Sequence, residues 1–389
     1  MHIGIYTNAY YPTVSGVVRS IASFRMALAE LGHNVFIFAP HSGDYIDDEP
    51  FVFRYPAIDL PQYRQFPFAI PISHCLDRIL PSLRLDVIHS QHPFLLGQTA
   101  SIKATHLGVP MVFTFHTRYR EYSHYLSINQ KFVKEQIDHW LRDYMSQCHH
   151  IIAPSESMRE LLSSEYGVTS QVSVLPTGID LKAYQHLERT DLRHKLGWDE
   201  NRILISVGRL AVEKNWNTLL EAAAPVLKKH PDARLVVLGE GAECSDLQEL
   251  AEKLAITRQV DLRGETPPED VPGYLAAADL FCFASITETQ GLATMEAMAA
   301  GLPVVAVDAS GTRDAVDHGV EGLLTENDPA ALAAAIEQLL DDEALRLRFA
   351  DAAYRRAQTF GIRHLVKQLL EIYVQAGEDA RSGRFVSCE

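Results

Sequence analysis

Short apolar segments of strand length alternate along this chain with longer segments of helical periodicity. The strand-like segments are HIGIYT, NVFIFA, DVIHS, MVFTF, HIIAPS, ILISVGR, RLVVLGE, QVDLRG, DLFCFAS and PVVAVD. Helix-like segments separate most of them, for example 15–31, 130–148, 215–229 and 243–255. This alternation predicts parallel β-sheets with helices on both faces, which is the doubly wound α/β fold class.

The alternation stops once, in a polar and charged segment between about Thr177 and Arg202, and then starts again. A chain of 389 residues is also too long for one ordinary core. We therefore predict two Rossmann-like domains of similar size, residues 1–182 and 183–358, facing across a cleft. Residues 359–389 follow as a further helical segment.

The two predicted domains differ in charge. Residues 1–182 contain 14 Lys and Arg against 16 Asp and Glu, whereas the rest of the chain contains 21 against 34. The formal net charge of −15 argues against nucleic acid as a partner. The uneven distribution indicates that the two domains have different tasks.

Three features of the sequence bear on where the protein is located in the cell: its apolar segments, its N-terminus and its cysteines. No apolar segment approaches the roughly 18 residues that cross a bilayer, and MHIGIYTNAYYP carries no basic leader or cleavage pattern. The five cysteines are scattered and show no Cys-x-x-Cys spacing, so neither a disulfide framework nor a zinc site is expected. We expect a cytoplasmic protein.

In open parallel sheets, ligands bind beyond the carboxyl ends of the strands, so the loops there should carry the functional residues. After the first strand, Gly16 opens a helix whose free amides favour an anion; a plain tight turn is the alternative. A dinucleotide fingerprint is missing, because Gly239 and Gly241 are followed by Cys244 where the third glycine would stand. This argues against an oxidoreductase.

The segment after MVFTF is dense in groups that form hydrogen bonds and stack. It begins at His116 and continues with Arg118, Tyr119, Arg120, Tyr122, His124 and Tyr125. Such side chains are suited to polyol rings or head groups. A structural histidine and a decorated surface are the alternatives.

Two cations, Arg209 and Lys214, follow the strand ILISVGR. Fixed cations beside a helix start neutralise the charge that develops on a leaving diphosphate. Two of them with backbone amides would lower a barrier by several kcal/mol, since each charge-assisted hydrogen bond contributes about 1.5 to 3 kcal/mol. Solvated charges at a helix start are the alternative.

Two carboxylates, Glu288 and Glu296, stand eight residues apart in ITETQGLATMEAMAAGLPVV. A short helix is predicted from near Gly291 to Gly301, which places Glu288 in the loop before it and Glu296 at the border of its packed face. A carboxylate held there needs hydrogen-bond donors, and vicinal sugar hydroxyls are suitable. A capping or salt-bridged glutamate is the alternative for each.

Together these segments resemble the retaining glycosyltransferases of the GT-B fold whose signature is Glu, seven residues, Glu. The segments that carry the resemblance are the glycine loop, the strand-end histidine, VGRL…EKN, LGEG and ETQGL…EAMAAGLPVV. The resemblance implies that residues 183–358 bind a nucleotide sugar, that residues 1–182 bind the acceptor, and that the last helix, around residues 360–374, crosses back onto the first domain.

The resemblance also implies a role for each site residue. Glu288, His116, Arg209 and Lys214 would be the catalytic residues. The donor would be bound by Gly16, Arg209, Lys214, Arg263, Glu288, Gly291, Leu292 and Glu296, with Glu296 on the ribose and the two cations on the diphosphate. The acceptor would be bound by Arg118, Tyr119, Tyr122, His124 and Tyr125.

The chemistry implied is front-face transfer with retention, in which the departing diphosphate takes the proton from the acceptor hydroxyl. Glu288 then positions and stabilises, and no side chain need be the nucleophile. Two carboxylates in a sugar site also fit a glycoside hydrolase, but the cation pair and the anion-binding helix would have no purpose there. An Asp-x-Asp motif at a strand end is missing, so we expect no obligatory metal and a UDP-hexose as co-substrate.

For the acceptor, HTRYREYSHYL and the ETQGL variant are most similar to the 1,2-diacylglycerol 3-glucosyltransferases. Segment 51–84 supports contact with the inner face of a membrane, because it has six aromatics, five prolines and four Arg against two Asp. Ile72, Leu76, Ile79 and Leu80 are predicted to form one face of an interfacial helix. An ordinary packed excursion is the alternative, and the net negative charge opposes binding to anionic membranes.

Three functions follow from these readings. The first is transfer of glucose from a UDP-sugar to a lipid such as diacylglycerol. The second is the same donor chemistry on a soluble sugar, sugar phosphate or cell-envelope precursor. The third is a protein that binds nucleotide sugars without catalysis.

Overall fold

A computed structural model describes residues 1–58, 67–120 and 130–388, with residues 130–132 described by their backbone alone. The chain divides into two compact units, unit 1 with residues 1–178 and 362–389, and unit 2 with residues 179–361. The predicted divisions after residues 182 and 358 stand a few residues from these boundaries. The roles assigned to the two domains stay predictions.

Unit 1 is built on a parallel sheet. Its strands are β1 (His2–Tyr6), β2 (Asn34–Pro40), β3 (Val52–Tyr55), β4 (Ala57–Ile58), β5 (Phe68–Ala69), β6 (Val87–Ser90), β7 (Met111–Thr114), β8 (His150–Ala153) and β9 (Val172–Val174). Seven of them form one sheet in the order β3-β2-β1-β6-β7-β8-β9, and β4 pairs with β5 in a separate antiparallel ribbon. The helices are α1 (Gly16–Glu30), α2 (His74–Ile79), α3 (Leu96–Leu107), α4 (Gln130–Met145) and α5 (Glu156–Tyr166).

Unit 2 repeats this plan with six parallel strands. They are β10 (Arg202–Val207), β11 (Ala233–Leu238), β12 (Val260–Leu262), β13 (Leu280–Phe283), β14 (Val304–Val307) and β15 (Gly322–Thr325), in the order β12-β11-β10-β13-β14-β15. The helices are α6 (Arg189–Leu196), α7 (Trp216–Lys229), α8 (Cys244–Lys253), α9 (Val271–Ala277), α10 (Leu292–Ala299), α11 (Thr312–Ala315), α12 (Pro329–Asp341) and α13 (Glu343–Gln358).

The last helix, α14 (Ile362–Arg381), returns to unit 1. Its apolar face joins α1 and the sheet in one buried cluster through Leu365, Leu369 and Tyr373. A second cluster fills the other face of this sheet, and unit 2 likewise has one cluster on each face. Strands buried on both faces explain why their sequences are continuous apolar runs.

Each sheet reverses its strand order at one point, between β1 and β6 in unit 1 and between β10 and β13 in unit 2. Loops leave the sheet in opposite directions at such a point and open a crevice where ligands bind. Gly16 follows β1 at the start of α1, the segment after β10 contains Arg209 and Lys214, and the loop after β13 contains Glu288. The topology therefore brings the predicted residues of unit 2 to one edge of its sheet.

Segment 51–84 differs from its prediction in one respect. Ile72 is 63% exposed, but Leu76 and Leu80 are buried in the core of unit 1. The predicted single apolar face of Ile72, Leu76, Ile79 and Leu80 is therefore wrong, because α2 has only six residues and turns two of these side chains inward. Residues 59–66 of the segment lie outside the described residues.

Among the described helices, none has the length and apolar composition that crossing a bilayer requires.

Candidate active site

In unit 1, the start of α1 presents open backbone. Ser15 caps the helix, its side chain accepting a hydrogen bond from Val18 N at 3.3 Å. A Cβ placed on Gly16 would meet no atom within 4 Å. The position of a Cβ on Gly16 is therefore unobstructed, and binding of an anion by the first amides of α1 stays a prediction.

His116 follows β7 and contacts Gln91, which follows the neighbouring strand β6. His116 Nε2 lies 2.7 Å from Gln91 Oε1. Burial, together with the smaller effect of the charges that His92 and His89 would carry, lowers the pKa of His116 to about 3. Burial likewise lowers the pKa of His92 to about 4. These imidazoles are neutral at physiological pH, so they act as hydrogen-bonding groups and not as cations.

The segment after His116 is anchored by Arg120, which the sequence analysis did not assign to the acceptor. Arg120 donates to Asp138 Oδ2 at 2.6 Å and pairs with Glu165 at 3.0 Å, which ties the segment to α4 and α5. Tyr119 packs edge-to-face on Phe94 and Phe115 and joins the buried cluster.

Of the other residues predicted to bind the acceptor, Arg118 is partly buried. Tyr122, His124 and Tyr125 lie outside the described residues.

In unit 2, both predicted cations are paired with carboxylates. Arg209 lies 2.6 Å from Glu213 on the same loop, and Lys214 forms an ion pair with Glu288 across two loops. Ser285 Oγ donates to the same Glu288 oxygen at 2.6 Å. Lys214 and Glu288, predicted to hold different parts of the donor, thus contact each other in the structure.

The loop before α10 depends on two glycines with left-handed backbone. Gly291 caps α10 with φ +75°, and Gly311 has φ +78°. A Cβ on Gly311 would lie 2.6 Å from the Glu288 carbonyl oxygen and 2.7 Å from Gln290 N. The close approach of these two loops therefore fixes Glu288 relative to the helix start.

Glu296 lies inside α10 and is only 3% exposed. The hydroxyls of Thr294 and Thr312, on α10 and at the start of α11, are also buried, and they have no hydrogen-bond partner in the described part of the chain. Because unpartnered buried polar atoms are costly, these hydroxyls are further candidates for contact with a ligand. The sequence gives no signal for them beyond their nearness to Gly291 and Gly311.

Arg263 is positioned beyond β12. Its Nε lies 2.6 Å from Asp261, and its guanidinium lies 5.9 Å from the ring centre of Tyr274. A planar cation held in this way can stack against a flat ring.

One cluster in the described residues has the composition of a metal site: His230, Glu337 and Asp341. It lies where β10 and β11 begin, at the opposite edge of the sheet from the loops above. Lys229 already pairs with both carboxylates, and Arg202 donates to His230 Nδ1 at 2.9 Å. A neutral His230 then carries its hydrogen on Nε2, which leaves no lone pair for a metal.

Comparison with known families finds two matches that adjoin each other. Residues 14–183 match the model "Glycosyltransferase Family 4", and residues 188–356 match "Glycosyl transferases group 1". The first covers residues 14–178 of unit 1 and the first five residues of unit 2, and the second lies within unit 2.

Several relatives align over most of the chain. The alpha-monoglucosyldiacylglycerol synthase of Streptococcus pneumoniae is 36% identical over 79% of this chain and 71% of its own. The enzyme of that name from Acholeplasma laidlawii is 31% identical over 78% and 80%. A GDP-mannose-dependent alpha-mannosyltransferase of Mycolicibacterium smegmatis is 31% identical over 91% and 92%.

Among solved structures, Anabaena HepE in complex with UDP superimposes with a TM-score of 0.75 at 20% identity, over 95% of this chain and 99% of that one. At this identity the likeness concerns the fold.

Proposed function

The chain belongs to the glycosyl transferases group 1 family and has the GT-B fold of two Rossmann-like domains, and from this premise we propose that it transfers glucose from UDP-glucose to diacylglycerol. The family makes it a glycosyltransferase. The observation that carries the choice of acceptor is the 36% identity to a monoglucosyldiacylglycerol synthase.

We assign the diphosphate of the donor to Arg209 and Lys214. Both cations have carboxylate partners in the structure, so a diphosphate has to exchange with Glu213 and Glu288. The free amides of Gly291 and Leu292 at the start of α10 add to this anion site, since the helix dipole favours negative charge there.

The nucleoside is assigned to Glu296 and Arg263. Glu296 is buried in α10, and ribose hydroxyls are donors that suit a carboxylate in that place. Arg263, held by Asp261 beside Tyr274, would border the base by stacking. Gly16 and His116 of unit 1 are assigned to the phosphate and the transferred sugar.

The proposed reaction retains the configuration of the sugar. The acceptor hydroxyl attacks the anomeric carbon on the face from which the diphosphate departs, the bond to the diphosphate breaks, and a diphosphate oxygen takes the hydroxyl proton. Glu288, released from Lys214, then faces the sugar and stabilises the positive charge that develops on it. No obligatory metal is needed, because the cations and helix amides balance the departing charge.

A lipid acceptor agrees with the apolar residues that segment 51–84 exposes. Phe51, Ile58, Phe68 and Ile72 are each about half exposed or more. Singly exposed apolar residues are ordinary, but four in one short segment suit the surface of a bilayer. Arg118 and Tyr119, with Tyr122, His124 and Tyr125 beyond the described residues, are assigned to the acceptor.

The test is a matrix of donors and acceptors. Purified protein is given UDP-glucose or GDP-mannose, with diacylglycerol in liposomes or with soluble sugars and inositol phosphate, and the products are identified by mass spectrometry. We expect glucosyl diacylglycerol from UDP-glucose and sedimentation of the protein with the liposomes. A product formed only on a soluble acceptor would replace the lipid proposal, and binding of UDP without transfer or donor hydrolysis would refute catalysis.

Glu288→Ala should nearly abolish transfer in a folded protein. Glu269→Ala, which removes an exposed carboxylate of the same unit, is the matched control and should retain full activity. Normal turnover by Glu288→Ala would contradict the site assignment.

A further inference from the structure

Gln91 and His116 are joined at the carboxyl edge of the sheet in unit 1. The strands β6 and β7 pair so that Ser90 lies opposite Phe113, which places the residues after them side by side. Gln91 is 4% exposed, and its backbone N–H is bonded to Tyr6 O at 2.9 Å. The backbone of Gln91 is thus fixed at the edge of the sheet, and its side chain is buried beside His116.

The contact between them has a defined direction. The amide oxygen Oε1 of Gln91 can only accept, so His116 Nε2, 2.7 Å away, must donate. A neutral imidazole carries one hydrogen, so Nδ1 then keeps a lone pair. Because burial holds the pKa of His116 far below neutrality, the ring has this single-hydrogen form at physiological pH.

The residues beneath His116 cannot change this arrangement. His89 has both ring nitrogens engaged, Nδ1 with the Tyr373 hydroxyl at 2.8 Å and Nε2 with Thr114 Oγ1 at 2.7 Å. The cavity that these side chains line with Gln91 and His116 has room for about one water molecule. Among the described residues, Gln91 is the side chain to which His116 is hydrogen-bonded.

We propose that Gln91 is a positioning residue that fixes the tautomer of His116, so that Nδ1 accepts a hydrogen bond from a hydroxyl of the transferred sugar. The identity of the ligand rests on the proposed function, whereas the tautomer does not. Because Nδ1 can only accept a hydrogen bond, it favours binding of a sugar that has a hydroxyl at this point. A sugar with fluorine in place of that hydroxyl cannot donate a hydrogen bond and should bind less tightly.

The tautomer is tested without any activity. The full chain is labelled with ¹⁵N-histidine, the His116 signals are identified by their loss in His116→Ala, and long-range ¹H–¹⁵N correlations report which nitrogen is protonated. We expect hydrogen on Nε2 in the wild type and a mixture of tautomers in Gln91→Met. Tyr373→Phe, which alters the same cavity at His89, should leave the His116 signals unchanged.

A wild-type His116 protonated on Nδ1 would overturn the proposal, because the Gln91 amide would then present its nitrogen to the ring. An unchanged tautomer in Gln91→Met would overturn it as well. Either result would leave the proposed glycosyl transfer unaffected. Failure of the Gln91 proposal can therefore be distinguished from failure of the proposed function.

The ligand is tested by affinity ratios. Gln91→Met should weaken binding of UDP-glucose about five-fold, the effect of one neutral hydrogen bond, and leave binding of UDP unchanged. Tyr373→Phe should change neither affinity. Equal weakening of UDP and UDP-glucose by Gln91→Met would show general disruption of unit 1 and would refute a contact specific to the sugar.

Discussion

Replacing Glu288 by Gln should tighten the binding of UDP while it removes transfer. Lys214 is held by the Glu288 carboxylate, and both side chains are largely buried. A diphosphate that recruits Lys214 must first break this pair. Glutamine has nearly the same shape but no charge, so it holds Lys214 less strongly.

The size of the effect follows from the two kinds of hydrogen bond. A bond between charged partners contributes about 2 kcal/mol and a bond to a neutral amide about 1 kcal/mol. Binding of UDP to Glu288→Gln therefore costs about 1 kcal/mol less than binding of UDP to the wild type. This corresponds to a dissociation constant for UDP that is about five-fold lower in Glu288→Gln. The loss of transfer arises separately, because the amide cannot stabilise positive charge on the sugar.

Titration calorimetry with UDP and with uridine measures this directly. Uridine lacks the diphosphate and should bind equally well to wild type and Glu288→Gln. Glu269→Gln serves as the charge-matched control at an exposed site. If Glu288→Gln binds UDP no more tightly than the wild type while its uridine affinity is unchanged, the reasoning about exchange of the ion pair is wrong.

Three further predictions concern stability and surface. Burial lowers the pKa of His89 to about 3, so as pH falls the unfolded chain binds a proton before the folded chain does. The stability that neutral His89 contributes is complete above about pH 6.5 and decreases below it by about 1.4 kcal/mol per pH unit. Urea unfolding between pH 7 and 4 should therefore show a shallower loss of stability in His89→Gln than in the wild type. Gly311→Ala should lower stability by about 1 to 3 kcal/mol in the same assay, since its Cβ would meet the backbone of the preceding loop at φ +78°. Phe68→Glu with Ile72→Glu should reduce sedimentation with liposomes and leave UDP affinity unchanged, and retained sedimentation would exclude segment 51–84 as the contact.

The central strands and their order of appearance could be predicted because they are buried on both faces and are therefore continuous apolar runs. The strands β3, β9 and β15 were not predicted. All three are edge strands of their sheets, and their residues are mostly half-buried, so the apolar signal is weak there. The fourth edge strand, β12, is also half-buried but was predicted, so an edge position weakens the apolar signal without removing it in every case.

The position of a candidate site residue in the fold could be predicted where that residue follows a strand, but a pairing between two loops could not. The roles of these residues stay predictions. His116, Lys214 and Glu288 stand at strand ends that the pattern identifies. The contact of Lys214 with Glu288 joins residues 74 positions apart, and no spacing rule indicates it. The ion pair of Arg209 with Glu213 could have been predicted, because Glu213 stands four residues after Arg209, a spacing at which opposite charges meet in a helical turn.

The return of α14 to unit 1 has a consequence for the order in which the chain folds during synthesis. Ribosomes add about 5 to 20 residues per second, and the 183 residues of unit 2 separate Gly178 from Ile362. For roughly 10 to 40 s, nascent unit 1 therefore has the sheet face that α14 later covers exposed to water. Unit 2 is contiguous in sequence and can therefore bury its own core before unit 1 does. Unit 1 is synthesised first but completes its core last, and its exposed apolar face is where a nascent-chain chaperone should bind.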